Sequence, residues 1–308
     1  MSIEGESVSS DKFSTGEGIC LPLGSKLEIK KIVTATGGGG ANASFTFARQ
    51  GLKAAFIGVV GDDFNGHEFI NTLKAEGINT DSIALHTDDH TAYSTILVHS
   101  SGERTILSYK GEGQHFNAKE VPFDSLQTSW LFLDSLGGNY DLLTRAVDWA
   151  AANKIKIATN PGSKELGHGL DKLKPLLERA DIVSMNQEEA AKLTGLNYHD
   201  EEGIFKAMDE LVKGIFVMTQ GPDGVVVSDG QHMYRAGVPD SPVVERTGAG
   251  DAFVSGFVAQ YMQSRDIVKS IQFATANSSS VVTQYGATAG ILKKGEWGPW
   301  PLVEVSMK

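Results

Sequence analysis

The sequence predicts an α/β protein with a mostly parallel central sheet, helices on both of its faces, and a small β-sheet lid. Three observations predict it. From Trp130 onward, short apolar runs alternate with helix-length amphipathic stretches, the rhythm of consecutive βα units. Between residues 92 and 109 two alternating segments flank Ser100-Ser101-Gly102-Glu103, a hairpin signal with no helix beside it. Near the C-terminal end, Arg246-Thr247-Gly248-Ala249-Gly250-Asp251-Ala252-Phe253 runs straight into an apolar helix.

Residues 1–30 are rich in Ser, Gly, Lys and Glu, with one short apolar patch at residues 19–23, and read as a loop or peripheral hairpin. A helix follows the glycine run 37–40. Residues 54–60 form a buried strand that ends in a turn at Gly61-Asp62-Asp63, and a helix covers 65–75. Strands are predicted at 92–99, 104–109, 130–133, 155–158, 181–184, 215–219 and 225–228. Helices are predicted at 140–151, 187–194, 201–212, 252–262 and 266–283. No repeat or linker divides the chain, so residues 1–308 are expected to form a single domain carrying a lid from about 12–35 and 90–110.

The formal charge of −11 argues against a nucleic-acid surface. Cys20 is the only cysteine, which excludes an intramolecular disulfide and a multi-cysteine metal site. No run of eighteen apolar residues is present and the first residues are too polar for a secretory signal, so a cytoplasmic protein without membrane partners is expected.

Several polar clusters fall where strands end, which is where ligands bind in parallel α/β sheets. Gly248, Ala249 and Gly250 can bring main-chain N–H groups to an anion at a helix start, with Asp251 placed either to cap the helix or to take a proton beside that anion. In the run 37–40, Gly38 permits close approach, and Asn42 can serve a hydroxyl-bearing ligand or cap a helix. Asn186 and Glu189 share a helix face and would either position a hydrated Mg²⁺ or form an N-cap, the cap being favoured in isolation. Thr219, Gly221 and Gly224 lie in a turn that would suit phosphates or simply join strands. Asn160-Pro161-Gly162 is read as structural.

Together these segments resemble the ribokinase-like, or PfkB, family of carbohydrate and nucleoside kinases, over roughly residues 37–290. The most specific part is TGAGDAF at 247–253. GGGGANAS with the downstream AAFIGVVGDDFNG, NxxE at 186–189 and TxGxxG at 219–224 add to it. The resemblance implies ATP as phosphoryl donor, Mg²⁺, and a sugar or sugar-like acceptor, with a nucleoside as the alternative. It implies Asp251 as general base, the main chain of Gly248, Ala249 and Gly250 as anion hole, and Asp251 with Gly38 and Asn42 on the acceptor. Thr219, Gly221 and Gly224 would meet the nucleotide, with Asn277 bordering the adenine or lying on a helix surface. Asn186 and Glu189 would act on Mg²⁺ through water, and Glu245, Thr247 and Gly286 would suit K⁺. The hairpin at 92–109, set outside the main sheet, would serve as a lid or as the surface of a homodimer.

The chain departs from that pattern before residue 37. Family members begin with an apolar strand leading to an aspartate that grips the acceptor. Here nothing that apolar precedes Gly37, and Asp11 is the only early aspartate. A groove or exposed sheet edges are therefore expected, and with them a second functional reading: a nucleotide-binding relative without catalysis.

Overall fold

The computed structural model describes residues 6–10, 17–24, 26–98 and 104–308. Asp11, His99 and the turn 100–103 lie outside them. The polar start forms an antiparallel ribbon of β1 (Glu6–Ser9) and β2 (Glu17–Cys20), the peripheral hairpin that its composition predicts. Helix α1 (Gly39–Arg49) follows, and β3 (Ala55–Gly61) leads through α2 (Phe64–Ala75) to β4 (Asn79–His86). Asp63 caps α2 by accepting from Gly66 N–H, and the Thr91 hydroxyl donates to the same carboxylate. These bonds hold its pKa down at about 2, with burial opposing them.

The second ribbon, β5 (Tyr93–Val98) with β6 (Arg104–Tyr109), pairs residue 93 with 109 and 98 with 104. Then come β7 (Trp130–Leu133), α3 (Tyr140–Ala152), β8 (Lys156–Thr159), α4 (Ser163–Leu166), α5 (Leu170–Leu177), β9 (Ile182–Asn186), α6 (Gln187–Thr194), α7 (Glu201–Leu211) and β10 (Ile215–Thr219). The chain closes with β11 (Val225–Ser228), β12 (Met233–Ala236), α8 (Ala249–Ser264), α9 (Ile267–Val281) and β13 (Ser306–Met307).

The main sheet has seven strands in the order β13-β12-β11-β10-β9-β8-β7. From β7 to β10 neighbours are parallel, joined by helical crossovers. From β10 to β13 they are antiparallel; the turns 220–224 and 229–232, which join β10 to β11 and β11 to β12, are too short for a crossover. The sheet is thus mixed. Successive side chains point to opposite faces: Val183, Met185, Phe216 and Met218 pack into a core with α3, α5, α6 and α7. Ile182, Ile215, Val217, Val225 and Val227 pack against α8 and α9 on the other face. Helices cover both faces, as the βα rhythm predicts.

The first βαβ unit stands apart from this sheet. Among the described residues β3 pairs with β4 alone and β7 with β8 alone. Their remaining edges line one cavity of about 1340 Å³, together with α1, the β5–β6 ribbon and the start of α8. This is the groove that the polar N-terminal segment leads one to expect. The two ribbons β1–β2 and β5–β6 are separate sheets, with no strand pairing between them among the described residues.

Candidate active site

Helix α8 is preceded by its N-cap Gly248, whose φ of 80° is left-handed. A Cβ there would also lie 2.4 Å from Ala287 Cβ, so both backbone and space require glycine. No side chain caps the helix. Asp251 is its third residue, and its carboxylate turns to α1 instead, which corrects the reading of Asp251 as a cap. A Cβ at Gly250 would meet nothing, so this helix end is open to a ligand. Ala249 N–H donates to Arg246 O at 3.3 Å, and the remaining N–H groups of this helix start, with its dipole, favour an anion there.

Asn42 does not cap its helix either. Gly38, with φ 94°, is the N-cap of α1, and Asn42 is the fourth residue of that helix. Its Nδ2 donates to Asp251 Oδ2 at 2.7 Å, while its Oδ1 is buried with no partner. One turn on, Ser255 Oγ donates to Thr46 Oγ1 at 2.8 Å. These two bonds lock α1 to α8 across 209 residues of sequence. Burial pushes Asp251 above the ordinary carboxylate range, and the Asn42 bond opposes this.

The structure adds a residue that the sequence reading missed. Asp134, directly after β7, enters the same cavity as Asp251, Asn42 and Gly38. A Cβ on Gly39 would lie 2.5 Å from its Oδ2, so the glycine run admits a carboxylate as well as a ligand. Burial pushes Asp134 up to about 7. The charge of Asp251 adds to that shift, and N–H groups of Ser135 and Gly40 oppose it. The loop after Asp134 is held by buried Glu165, which accepts from Leu136 N–H at 2.8 Å and Gly138 N–H at 2.6 Å. The only local signal for Asp134 is an aspartate closing the apolar run Trp130-Leu131-Phe132-Leu133.

Glu245, Thr247 and Gly286 line that cavity too. Glu245 is buried and accepts from Gly286 N–H at 3.0 Å, and Thr247 Oγ1 is buried without a partner. Such a set of hard oxygen donors fits a hard cation.

The other predicted clusters lie outside the lining of this cavity, at the carboxyl ends of β9 and β10. Asn186 and Thr219 are register partners there. Asn186 and Glu189 form a reciprocal capping box on α6: Asn186 Oδ1 accepts from Glu189 N–H at 2.8 Å and Glu189 Oε2 from Asn186 N–H at 2.9 Å. Burial, with Glu188 nearby, raises the Glu189 pKa. In the turn between β10 and β11, Gly221 has φ 58° and open space at its Cβ position, whereas a Cβ on Gly224 would meet Ala236 O at 2.0 Å. Gly224 is thus demanded by the packing of β11 against β12.

Asn277 does not lie on a helix surface: it is fully buried, with Nδ2 donating to Ala252 O and Oδ1 accepting from Leu292 N–H. Asn277→Ala removes both bonds and leaves Leu292 N–H unpaired, at about 1–3 kcal/mol, and denaturant unfolding should report a loss of that size.

Comparison with known proteins identifies the family. The pfkB family carbohydrate kinase model matches residues 15–294. A ribokinase of Haemophilus influenzae is 31% identical over 268 residues, covering 85% of this chain and 86% of that protein. A nucleoside kinase of Methanothermobacter thermautotrophicus is 25% identical, covering 87% and 85%. Among solved structures, the Burkholderia thailandensis nucleoside kinase in complex with inosine superposes with a TM-score of 0.77 at 15% identity, covering 96% of this chain and 91% of that one. A match over most of the chain and a relative above 30% identity together establish descent: this protein belongs to the pfkB family of carbohydrate kinases.

Proposed function

We propose that this kinase transfers a phosphoryl group from ATP to a hydroxyl of a sugar or sugar-like acceptor, with Asp251 as the general base. The observation that carries this reading is the Asp251 carboxylate, tied to Asn42 and set at the uncapped, open start of α8. The N–H groups at Gly248, Ala249 and Gly250 then serve as the anion hole, stabilising charge on the group in transfer. Asp251 draws the proton from the acceptor hydroxyl. Asn42 orients that carboxylate through Nδ2 and offers its unpartnered Oδ1 to the acceptor. Gly38 and Gly39 keep the acceptor pocket free of side chains, and Asp134 accepts from a second hydroxyl.

At the strand ends beyond this cavity, Thr219 and Gly221 are placed for nucleotide phosphates. Glu189 keeps a carboxylate oxygen outside its capping box, which suits magnesium bound through water, since Mg²⁺ retains several waters. When bound, the metal neutralises charge on the phosphates. Glu245, Thr247 and Gly286 would hold a monovalent cation, with K⁺ the choice by ligand type. Turnover in potassium should exceed that in an equal ionic strength of tetramethylammonium, and equal rates would count against that cation role.

A nucleoside acceptor is the second reading. Tyr93 and Tyr109 of the β5–β6 ribbon line the cavity, are about half exposed and could stack on a base. The same ribbon would act as a lid, and its exposed Ile106 and Leu107 would meet a second copy in a homodimer. A coupled ADP-release assay across sugars and nucleosides, with ATP binding measured in parallel, tests the proposal. Turnover on sugars supports it, and turnover on nucleosides alone selects the second reading. ATP binding without turnover on any acceptor would make the protein a silent relative.

A further inference from the structure

We infer that Gln220 is a positioning residue for the nucleotide: its side-chain amide, held by Gln187 and Glu201, fixes the turn 220–224 against the first turn of α6. The inference rests on the phosphoryl-transfer reading, which places nucleotide phosphates at Thr219 and Gly221 and magnesium at Glu189. Asn186 and Thr219 are the last register pair of β9 and β10, so the residues that follow them, Gln187 and Gln220, leave the sheet side by side. Gln220 thus stands between the two residues read as phosphate contacts. Gln187, the first residue of α6, stands inside the capping box that carries Glu189.

Each amide in this cluster can face only one way. A carbonyl only accepts, so the buried Gln187 meets Tyr198 O with Nε2, at 2.7 Å, and turns Oε1 to Gln220. The ionised Glu201 carboxylate also only accepts. Gln220 therefore presents Nε2 to both neighbours, and its two protons go to Gln187 Oε1 at 2.9 Å and Glu201 Oε2 at 2.6 Å. Beyond it, Arg235 of β12 donates from Nη2 to Glu201 Oε1. The Arg235 bond, with the Gln220 bond behind it, holds the Glu201 carboxyl below its ordinary range against the effect of burial. A directed chain of bonds thus runs from Tyr198 through Gln187, Gln220 and Glu201 to Arg235, and joins α6, the turn, α7 and β12.

The main chain of the turn completes the clamp. Gln220 N–H donates to Gly224 O at 2.8 Å, and Asp223 N–H returns to Gln220 O at 3.2 Å. Gly224 packs on Ala236 O, the neighbour of Arg235 in β12. Both ends of the turn are therefore tied to β12, one by close packing and the other through Glu201. Between them Gly221 keeps open space at its Cβ position, so the clamp leaves the ligand side of the turn free. The separation of the turn from Glu189 is then set before a nucleotide arrives, and a site ordered in advance loses less freedom on binding.

Calorimetric titration of the full chain, with MgATP and with ATP in the presence of a chelator, tests this. Gln220→Met keeps the shape of the side chain without its donors, and Gln187→Met removes the facing acceptor. Each should raise the Kd for MgATP roughly tenfold, and the double variant no more than about twofold beyond either, because both break one chain. For metal-free ATP, which does not draw on Glu189, the rise should be at least about threefold smaller. In the nucleotide-free protein, the amides of Asp223 and Gly224 should exchange roughly tenfold faster in Gln220→Met, while those of Val217 and Met218 keep their rates. Unchanged MgATP affinity, an equal loss for both forms of ATP, or losses that add in the double variant overturns the inference. So does a lower unfolding midpoint with affinity intact, which would make the chain of bonds structural only. If the unaltered chain binds no MgATP, the phosphoryl-transfer reading itself fails and the inference falls with it.

Discussion

Replacing Asp251 by Asn lowers turnover by roughly 10²- to 10⁴-fold, the range for loss of a positioned general base, and leaves ATP binding intact. The substitution is nearly isosteric. It removes the proton acceptor while keeping an oxygen for the Asn42 amide, whose bond to Asp251 spans 2.7 Å. The uncapped start of α8 is made of main-chain groups and Gly248, none of which the substitution touches. Single-turnover kinetics, with nucleotide affinity measured on the same preparation, separate the chemical step from binding. An unchanged rate would take Asp251 out of the reaction. A loss of ATP affinity equal to the loss of rate would show instead that the helix start had shifted. The same variant should unfold at a higher denaturant concentration near neutral pH, because it removes one of two neighbouring carboxylates that burial already disfavours.

Much of the fold is legible in the sequence because its signals are local. The strands Trp130–Leu133, Ile215–Thr219 and Val225–Ser228 fall where short apolar runs between turn residues place them. The helix Gln187–Thr194 likewise follows its capping residues. Strand β4 (Asn79–His86) was not legible, since Asn-Thr-Asp-Ser opens it without apolar alternation and its order comes from pairing with β3. The candidate site divides in the same way. The glycines and Asp251 are contiguous, so chemistry and spacing can be read together. Asp134 is isolated in sequence, and only folding brings it against Gly39. Its trace is indirect: glycines that a helix start alone does not require were making room for something. Asn277 shows the converse, a polar residue on an apolar helix whose partners, Ala252 and Leu292, lie 25 and 15 positions away.

The pairing of Asp134 with Asp251 should make stability fall as pH rises from about 4 to about 7. In the unfolded chain an aspartate titrates near 3.9, whereas in the folded protein burial and the charge of Asp251 hold Asp134 up to about 7. Between those values the folded state keeps a proton that the unfolded state has released, so each rise in pH favours unfolding. Below the lower value both states are protonated and the full benefit is present. Above the upper value both are ionised and the loss is complete, on the order of a few kcal/mol for a shift of this size. Asp134→Asn cannot ionise, so its denaturation midpoint should stay flatter across that window. If Asp134 grips a hydroxyl of the acceptor, the same variant raises the KM for the acceptor more than it lowers kcat, and leaves the KM for ATP near its original value. Equal slopes of stability against pH in both proteins would show that Asp134 is ionised throughout. In that event a counter-charge inside the cavity, and not a proton retained on Asp134, would be what lets two carboxylates face one acceptor.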